Sequence, residues 1–198
     1  MSTQVLWFAT RGAGIVSLLL FTAVVVLGVI TSVRWQARQW PRFLTAEVHR
    51  SIALLSVVFL ALHIATAVID PYASLGWVSA LVPFSSSYRP LWLGLGVVSL
   101  DLLLAVVLTS LLRARVGRRA WRSVHWTAYA SWPLALAHGI GTGSDASAAW
   151  MVGIDAVCIV AVVTAVAWRL AAGRRGADLP AVVASVGRST SSEPGALR

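Results

Sequence analysis

Two stretches decide the fold of this chain: HRSIALLSVVFLALH, from His49 to His63, and WRSVHWTAYASWPLALAH, from Trp121 to His138. Both are mostly apolar, and together they hold all four histidines of the chain. Two histidines bound the first stretch, and His125 and His138 of the second are one position closer together. A histidine inside a membrane helix is costly and marks a functional site by default. The two stretches therefore predict membrane helices that carry a site at two depths.

The composition is that of a membrane protein. Of the 198 residues, 58% are hydrophobic and only 12% are charged, and the mean hydropathy is +0.80. The net charge of +9 comes entirely from arginines, and we interpret it as charge held at one membrane face, with no nucleic-acid partner expected. The single cysteine, Cys158, excludes an intrachain disulfide and is expected to be buried.

Five apolar segments are each long enough to cross a bilayer, which takes about 20 residues. None alternates with the period of a strand. We therefore predict an all-α polytopic membrane helix bundle in residues 1–172, followed by a disordered cytoplasmic tail at 173–198. The five predicted transmembrane helices run over Val5–Ser32, Ala46–Ile69, Leu91–Leu112, Ala120–Gly141 and Ala148–Ala171.

The arginines predict the direction of the spans. Cytoplasmic loops are enriched in basic residues, and 14 of the 16 arginines fall on one side of the five spans. The N-terminus is therefore predicted outside and the C-terminus in the cytoplasm, in the inner (plasma) membrane of the cell. Only Arg11 and Arg89 fall on the outer side. The cytoplasmic set is Arg34, Arg38, Arg42, Arg50, Arg113, Arg115, Arg118, Arg119, Arg122, Arg169, Arg174, Arg175, Arg188 and Arg198.

With that topology the second and fourth spans are parallel, so the histidines match in depth. The interval from His49 to His63 corresponds to a rise of about 21 Å along a helix, which fits a hydrocarbon core of about 30 Å. His49 is then level with His125, and His63 with His138. The shorter interval in the fourth span makes only about 3.6 turns, so we expect Pro133 and helix tilt to re-aim His138. Paired histidines are axial ligands of haem iron, and the pattern predicts one haem between each pair.

These two stretches, with TSLLR from Thr109 to Arg113 between them, resemble the ferric reductase-like transmembrane domain family. That family includes the haem domains of NADPH oxidases and ferric-chelate reductases and the haem subunit of the periplasmic methionine sulfoxide reductase system. The likeness covers about 11–141. It implies two b-type haems, the inner held by His49 and His125 and the outer by His63 and His138, with electrons moving from the cytoplasmic to the outer face.

The chain departs from the family's oxidases, which carry six spans followed by flavin and nicotinamide domains. Only a short tail follows the last predicted span here. We therefore expect the electron-transfer subunit of an oxidoreductase without its own flavin or nicotinamide domain. Its donor would be a cytoplasmic protein or a quinol. Its acceptor would be an extracytoplasmic redox partner, for which a flavoprotein is one candidate.

Other residues carry weaker predictions. Arg11, Arg50 and Arg122 lie near the predicted sites and could pair haem propionates, or could only set topology and bind lipid headgroups. Trp132 could fill the space between the haems or could be a core residue. Asp101, in the middle of the third predicted span, supports an alternative of another class: a haem-free proton or solute pathway that uses the histidines and Asp101 as relay groups.

Overall fold

The computed structural model describes residues 3–32, 42–71 and 75–190, with side chains placed over 4–32, 44–71 and 75–172. This part of the chain is helical and contains no strand, which confirms the all-α class. The predictions for the tail and for the arginines at 34, 38 and 42 lie outside the described side chains. The backbone of the last helix continues to Thr190, and disorder of the 173–198 tail stays a prediction.

Four helices are long and apolar enough to span a membrane, so this is a multi-pass membrane protein. Their candidate spans are Gln4–Ser32, Leu44–Ile69, Pro90–Leu111 and Ala149–Ala172. The full set of described helices is α1 (Thr3–Ser32), α2 (Arg42–Ile69), α3 (Trp77–Leu81), α4 (Pro90–Leu111), α5 (Arg113–Val116), α6 (Arg118–His125), α7 (Ala128–Thr142) and α8 (Ala149–Thr190).

The fourth predicted span, Ala120–Gly141, is not one helix. It is divided into α6, of 8 residues, and α7, of 15, and neither alone reaches the length of about 20 residues that a crossing needs. The prediction of five uninterrupted spans is therefore not confirmed, and the number of candidate spanning helices in the described chain is four.

The interruption lies at Trp126 and Thr127, where the backbone tightens. Thr127 donates to the Val124 carbonyl and Ala130 to the Thr127 carbonyl, both at 2.9 Å and both three residues back. Such a turn winds at about 3.0 residues per turn in place of 3.6. The extra rotation turns His138 in the direction it needs to share a face with His125. We expected this re-aiming at Pro133, but α7 continues through that proline.

The core lies where α1, α7 and α8 meet. Trp132 and Leu136 of α7 are buried there against α1 and α8, and Cys158 of α8 is 1% exposed, as its apolar surroundings predicted. The remaining buried members of this cluster are Phe21, Val25 and Val162. The largest helix contacts are α1 with α2 and α4 with α7. The bundle therefore consists of two helix pairs joined through α1, α7 and α8.

The segment before α4 is fixed to the ends of α4 and α7. Phe84 and Arg89 both have left-handed backbones, with φ of 63° and 41°, a conformation that costs a non-glycine residue about 1–2 kcal/mol. The Phe84 ring rests on Gly94, where no side chain could fit beside it. The Arg89 guanidinium donates to the Gly141 carbonyl. These contacts hold the start of α4 against the end of α7.

Candidate functional site

The four histidines meet in the two pairs that their spacing predicted. The ring centroids of His49 and His125 are 6.3 Å apart with the rings at 62°, and those of His63 and His138 are 6.3 Å apart at 79°. The members of each pair come from different parts of the bundle, α2 on one side and α6 or α7 on the other. The helix register therefore brings together residues that are far apart in the chain.

His63 is oriented by the backbone of α1. Its Nδ1 lies 2.8 Å from the carbonyl oxygen of Thr10. A carbonyl oxygen only accepts, so Nδ1 carries a proton and donates it, and in the neutral imidazole Nε2 then has the free lone pair. This arrangement is the usual one for a metal-binding histidine, whose second ring nitrogen donates to a carbonyl or carboxylate.

His49 and His138 are oriented in the same way. The Nδ1 of His49 donates to the carbonyl of Val24 on α1 at 3.1 Å. The Nδ1 of His138 donates to the carbonyl of Trp92 on α4 at 3.0 Å. Three of the four imidazoles are thus held by main-chain oxygens of a neighbouring helix, and in its neutral form each has Nε2 free as a ligand.

Each of these three imidazoles also lies against a glycine one helical turn after the accepting carbonyl. A Cβ on Gly96 would stand 2.5 Å from Nδ1 of His138, and one on Gly14 would stand 2.9 Å from Nδ1 of His63. Gly96 and Gly14 therefore allow a close approach of the ring that a side chain would block, whereas a Cβ on Gly28 would stand 3.4 Å from the His49 ring, an ordinary contact. We call this unit a carbonyl–glycine seat. Its three instances are Thr10 with Gly14, Val24 with Gly28, and Trp92 with Gly96.

His125 has no such seat. Its Nδ1 is buried and has no hydrogen-bond partner among the described residues. Its ring stacks on Trp121, with centroids 5.0 Å apart and 30° between the planes. The indole N–H of Trp121 donates to the Ser110 hydroxyl at 3.2 Å, and the Arg113 guanidinium lies 4.4 Å from the Trp121 ring centroid.

The spacing within each pair suits a metal between two imidazoles. With each ligating nitrogen about 2 Å from a metal ion, the centroids of two opposed imidazoles lie about 6 Å apart. In addition, α2 packs along α1 and makes little close backbone contact with α6 or α7, so the space between the paired histidines is not closed by backbone. The described residues contain no group of three or more metal-binding side chains. Two-imidazole ligation of a haem therefore fits the residues present, and a metal cage made of protein alone does not.

The other predicted site residues have different surroundings. Arg11 forms an ion pair with Asp145 and donates to the Ser144 hydroxyl at 2.7 Å, and its Nε is buried with no described partner. Arg50 and Arg122 are exposed. Their roles toward propionates stay predictions.

Trp132 lies in the core, and its indole N–H donates to the Thr22 hydroxyl at 3.0 Å, so it links α7 to α1. A contact between Trp132 and a haem stays a prediction. Asp101 is exposed on α4 and makes no hydrogen bond to a described residue.

Sequence reasoning missed the glycines, although a signal for them was present. Gly14 and Gly28 on α1 are separated by the same interval as His49 and His63 on α2. Matching intervals on two adjacent antiparallel helices predict two contacts at the same pair of depths. Gly96 carries no comparable signal, because α4 has a single seat.

Comparison with known protein families gives a match over most of the membrane-spanning part of the chain. The family described as ferric reductase like transmembrane component matches residues 13–136, more than half of the chain. That range includes His49, His63 and His125 and ends just before His138. No curated protein and no solved structure gives a match. The chain belongs to the ferric reductase-like transmembrane component family.

Proposed function

We propose that this protein is a membrane di-haem b-type cytochrome subunit. It relays electrons from a cytoplasmic or quinol donor to an acceptor outside the membrane. The observation that carries the proposal is the equal spacing of the two histidine pairs, 6.3 Å between ring centroids in both. Membership of the ferric reductase-like family supports an electron-transfer role.

In this proposal His49 and His125 hold one haem, and His63 and His138 hold the other. A bound haem supplies a one-electron redox centre. The chain's own residues hold and insulate it. Backbone carbonyls of Thr10, Val24 and Trp92 fix three imidazoles with Nε2 available as the ligand, and the surrounding apolar helices exclude water.

The distribution of arginines supports the proposed direction. The His49–His125 pair lies at the end of the bundle where α5 and α6 carry five exposed arginines. Arg11 and Arg89 lie at the other end, near the His63–His138 pair. By the positive-inside rule the first end is cytoplasmic. We propose that α6 and α7 cross together as a fifth passage, which places the N-terminus outside and the C-terminus in the cytoplasm of a plasma-membrane protein.

Haem content tests the proposal. The full chain, purified from membranes of a host grown with ample haem, should show a reduced-minus-oxidised b-type spectrum. Its pyridine haemochrome should give about two haems per chain. Each single alanine substitution of a histidine should remove about one haem, since a b-type haem with one lost axial imidazole is held weakly. Asp155→Asn, which alters a buried carboxyl outside the histidine pairs, is the matched control. A colourless preparation would overturn the proposal.

Relay across the membrane needs its own measurement. Vesicles that contain the protein and enclosed ferricyanide should reduce that ferricyanide when dithionite is added outside, faster than protein-free vesicles do. One electron leaves the external reductant for each ferricyanide reduced. His63→Ala and His49→Ala should each bring the rate close to the protein-free leak, because each interrupts one of the two sites. A rate unaffected by both substitutions would contradict the relay.

A further inference from the structure

We propose that Ser110 and Trp121 keep His125 from making the hydrogen bond to a main-chain carbonyl that each of the other three histidines makes. The haem held by the His49–His125 pair then has the higher reduction potential of the two. This inference rests on the proposed function, because it concerns the haem that those histidines would hold. It assigns a positioning role to residues of the TSLLR and WRSVH segments.

Two carbonyl–glycine seats lie on α1, and α4 has one seat and part of a second. On α1 the seat of Val24 and Gly28 follows that of Thr10 and Gly14 at the interval that also separates His49 from His63. His138 uses the seat on α4 formed by the Trp92 carbonyl and Gly96. The α1 interval, applied to α4, leads from Trp92 to Val106 and from Gly96 to Ser110. At the level of His125, therefore, α4 has a serine where a seat would have a glycine.

The hydroxyl of Ser110 is hydrogen-bonded to the carbonyl oxygen of Val106, which is the one that His125 would use. It donates to the Val106 oxygen at 2.6 Å, and the Thr109 hydroxyl lies 3.2 Å from the same oxygen. A carbonyl oxygen has two lone pairs, and helical hydrogen bonding already draws on them. The Ser110 side chain also fills the space above the helix backbone that a glycine would leave open. His125 is left with a buried Nδ1 that has no hydrogen-bond partner in the part of the chain that the structure describes.

Trp121 stacks on His125, which has no carbonyl–glycine seat. Its ring covers His125, and its N–H is anchored on the same Ser110 hydroxyl. Arg113 lies against Trp121 and brings a permanent positive charge close to this histidine pair. The two histidine pairs therefore have the same spacing. They differ because both histidines of the His63–His138 pair donate to a main-chain carbonyl, whereas His125 stacks on Trp121.

The missing hydrogen bond of His125 and the nearby arginine charge act on the reduction potential in the same direction. An imidazole whose N–H donates to a carbonyl is a more basic ligand, and a more basic ligand favours oxidised iron, which carries the higher positive charge. His125 lacks that bond, so its site favours oxidised iron less. A nearby cation also disfavours the more positive oxidation state. The end of the bundle with the His49–His125 pair has five arginines on α5 and α6, whereas the other end has Arg11, which is ion-paired with Asp145, and Arg89. The His49–His125 site should therefore be reduced at higher potential than the His63–His138 site.

Spectroelectrochemical titration of the purified two-haem protein tests this inference. Ser110→Gly should free the Val106 carbonyl and open the seat, and Arg113→Gln should remove the cation. Each should lower the higher of the two midpoints and leave the lower one in place. At a fixed ambient potential near that midpoint, the reduced-to-oxidised ratio of the affected haem should fall by about threefold or more. Trp121→Phe keeps the stacked ring and removes only the anchoring N–H, so it should give a smaller shift than Trp121→Leu.

Two matched control variants and two single-haem backgrounds identify which haem responds. Ser123→Gly removes a serine of α6 whose hydroxyl bonds only to its own helix, at Arg119, and Arg115→Gln removes an exposed charge of α5. Neither should move a midpoint. In a His63→Ala background the remaining haem should be the one that responds to Ser110→Gly. In a His138→Ala background, which also leaves only that haem, the same shift should recur.

The outcomes separate the two proposals. A colourless protein overturns the cytochrome function itself. A protein with two haems whose midpoints are both unchanged in Ser110→Gly overturns this inference and leaves the cytochrome in place. A shift confined to the lower midpoint does the same. A shift of both midpoints together would also overturn it, because it would indicate a general structural change.

Discussion

His138 lies against the backbone of α4 at Gly96, so closely that a Cβ on that glycine would stand 2.5 Å from the imidazole Nδ1. The contact and the hydrogen bond to Trp92 are parts of one arrangement, since the ring reaches the carbonyl only by resting on the glycine. The position of His138 therefore depends on a residue that bears no functional group.

Gly96→Ala should displace His138 and remove about one of the two haems per chain. The added methyl group has no room unless the ring or the helix moves, and such overpacking costs about 1–3 kcal/mol. Haem content by pyridine haemochrome is the measurement. Gly139→Ala is the matched control, because Gly139 is next to His138 and a Cβ there meets nothing within 4 Å. Equal haem loss in both variants would count against the proposed contact.

The seats on α1 should respond in the order of their clearance. A Cβ on Gly14 would stand 2.9 Å from the His63 ring, and one on Gly28 would stand 3.4 Å from the His49 ring. Gly14→Ala should therefore lower the occupancy of the His63–His138 site, while Gly28→Ala should change haem content little. Gly12→Ala, where the added Cβ meets nothing, should raise stability by up to about 1 kcal/mol through helix propensity. Haem content and thermal unfolding of the three variants give the order, and a larger loss at Gly28 than at Gly14 would contradict it.

The histidine pairs could be predicted from sequence because depth in a membrane follows directly from position along a helix. The rise per residue of a helix is nearly constant, so the nearly equal intervals within the two stretches set two matching levels. The direction in which each ring faces depends on the local winding of the helix, which could not be predicted from the sequence. The tightened turn at Trp126 and Thr127 contains no proline or glycine, so no sequence signal predicts it.

Roles that depend on contacts between distant helices were also beyond sequence reasoning. Ser110 is one of several hydroxyls in apolar helices, and only the register of α4 against α6 brings it near Trp121. From its position as one of two outer arginines, Arg11 could pair a haem propionate or bind lipid headgroups. Its pairing with Asp145 depends on how the segment between α7 and α8 folds back over α1.

The hydrogen bond between Trp132 and Thr22 should stabilise the contact of α7 with α1. Trp132→Phe and Thr22→Val each remove one partner of a buried bond. In a double-mutant cycle the coupling should be about 0.6 kcal/mol, the average for hydrogen bonds between membrane helices, and at most about 1.7. Unfolding in mixed detergent gives the four free energies, and a coupling near zero would show that the bond adds no stability.

The same variants separate a structural role of Trp132 from a role at the haems. If Trp132 acts by joining α7 to α1, Trp132→Phe should lower stability and leave both haem midpoints in place. Val162→Ala serves as the matched control, because it removes bulk from the same buried cluster without removing a hydrogen bond. A midpoint shift in Trp132→Phe that is absent in Val162→Ala would instead place Trp132 at the haems.

Arg11 joins α1 to the segment that precedes α8. Its guanidinium pairs with Asp145, donates to the Ser144 hydroxyl, and lies 4.8 Å and 5.6 Å from the ring centroids of Trp7 and Trp150. Exposed ion pairs contribute about 0.2–1 kcal/mol. Cation–π contacts add about 0.5–1 kcal/mol at exposed sites. The carboxylate therefore accounts for only part of what holds Arg11.

Asp145→Asn should thus lower the free energy of unfolding by less than about 1 kcal/mol, and Arg11→Ala should lower it by more, since it removes every contact at once. Arg11→Lys should fall between them, because a lysine keeps the charge and loses the planar fork. Thermal unfolding at low and high salt is the measurement, and the Asp145→Asn effect should shrink as salt screens the pair. Equal losses in Asp145→Asn and Arg11→Ala would mean that the carboxylate alone holds Arg11, and that the tryptophans and Ser144 contribute nothing.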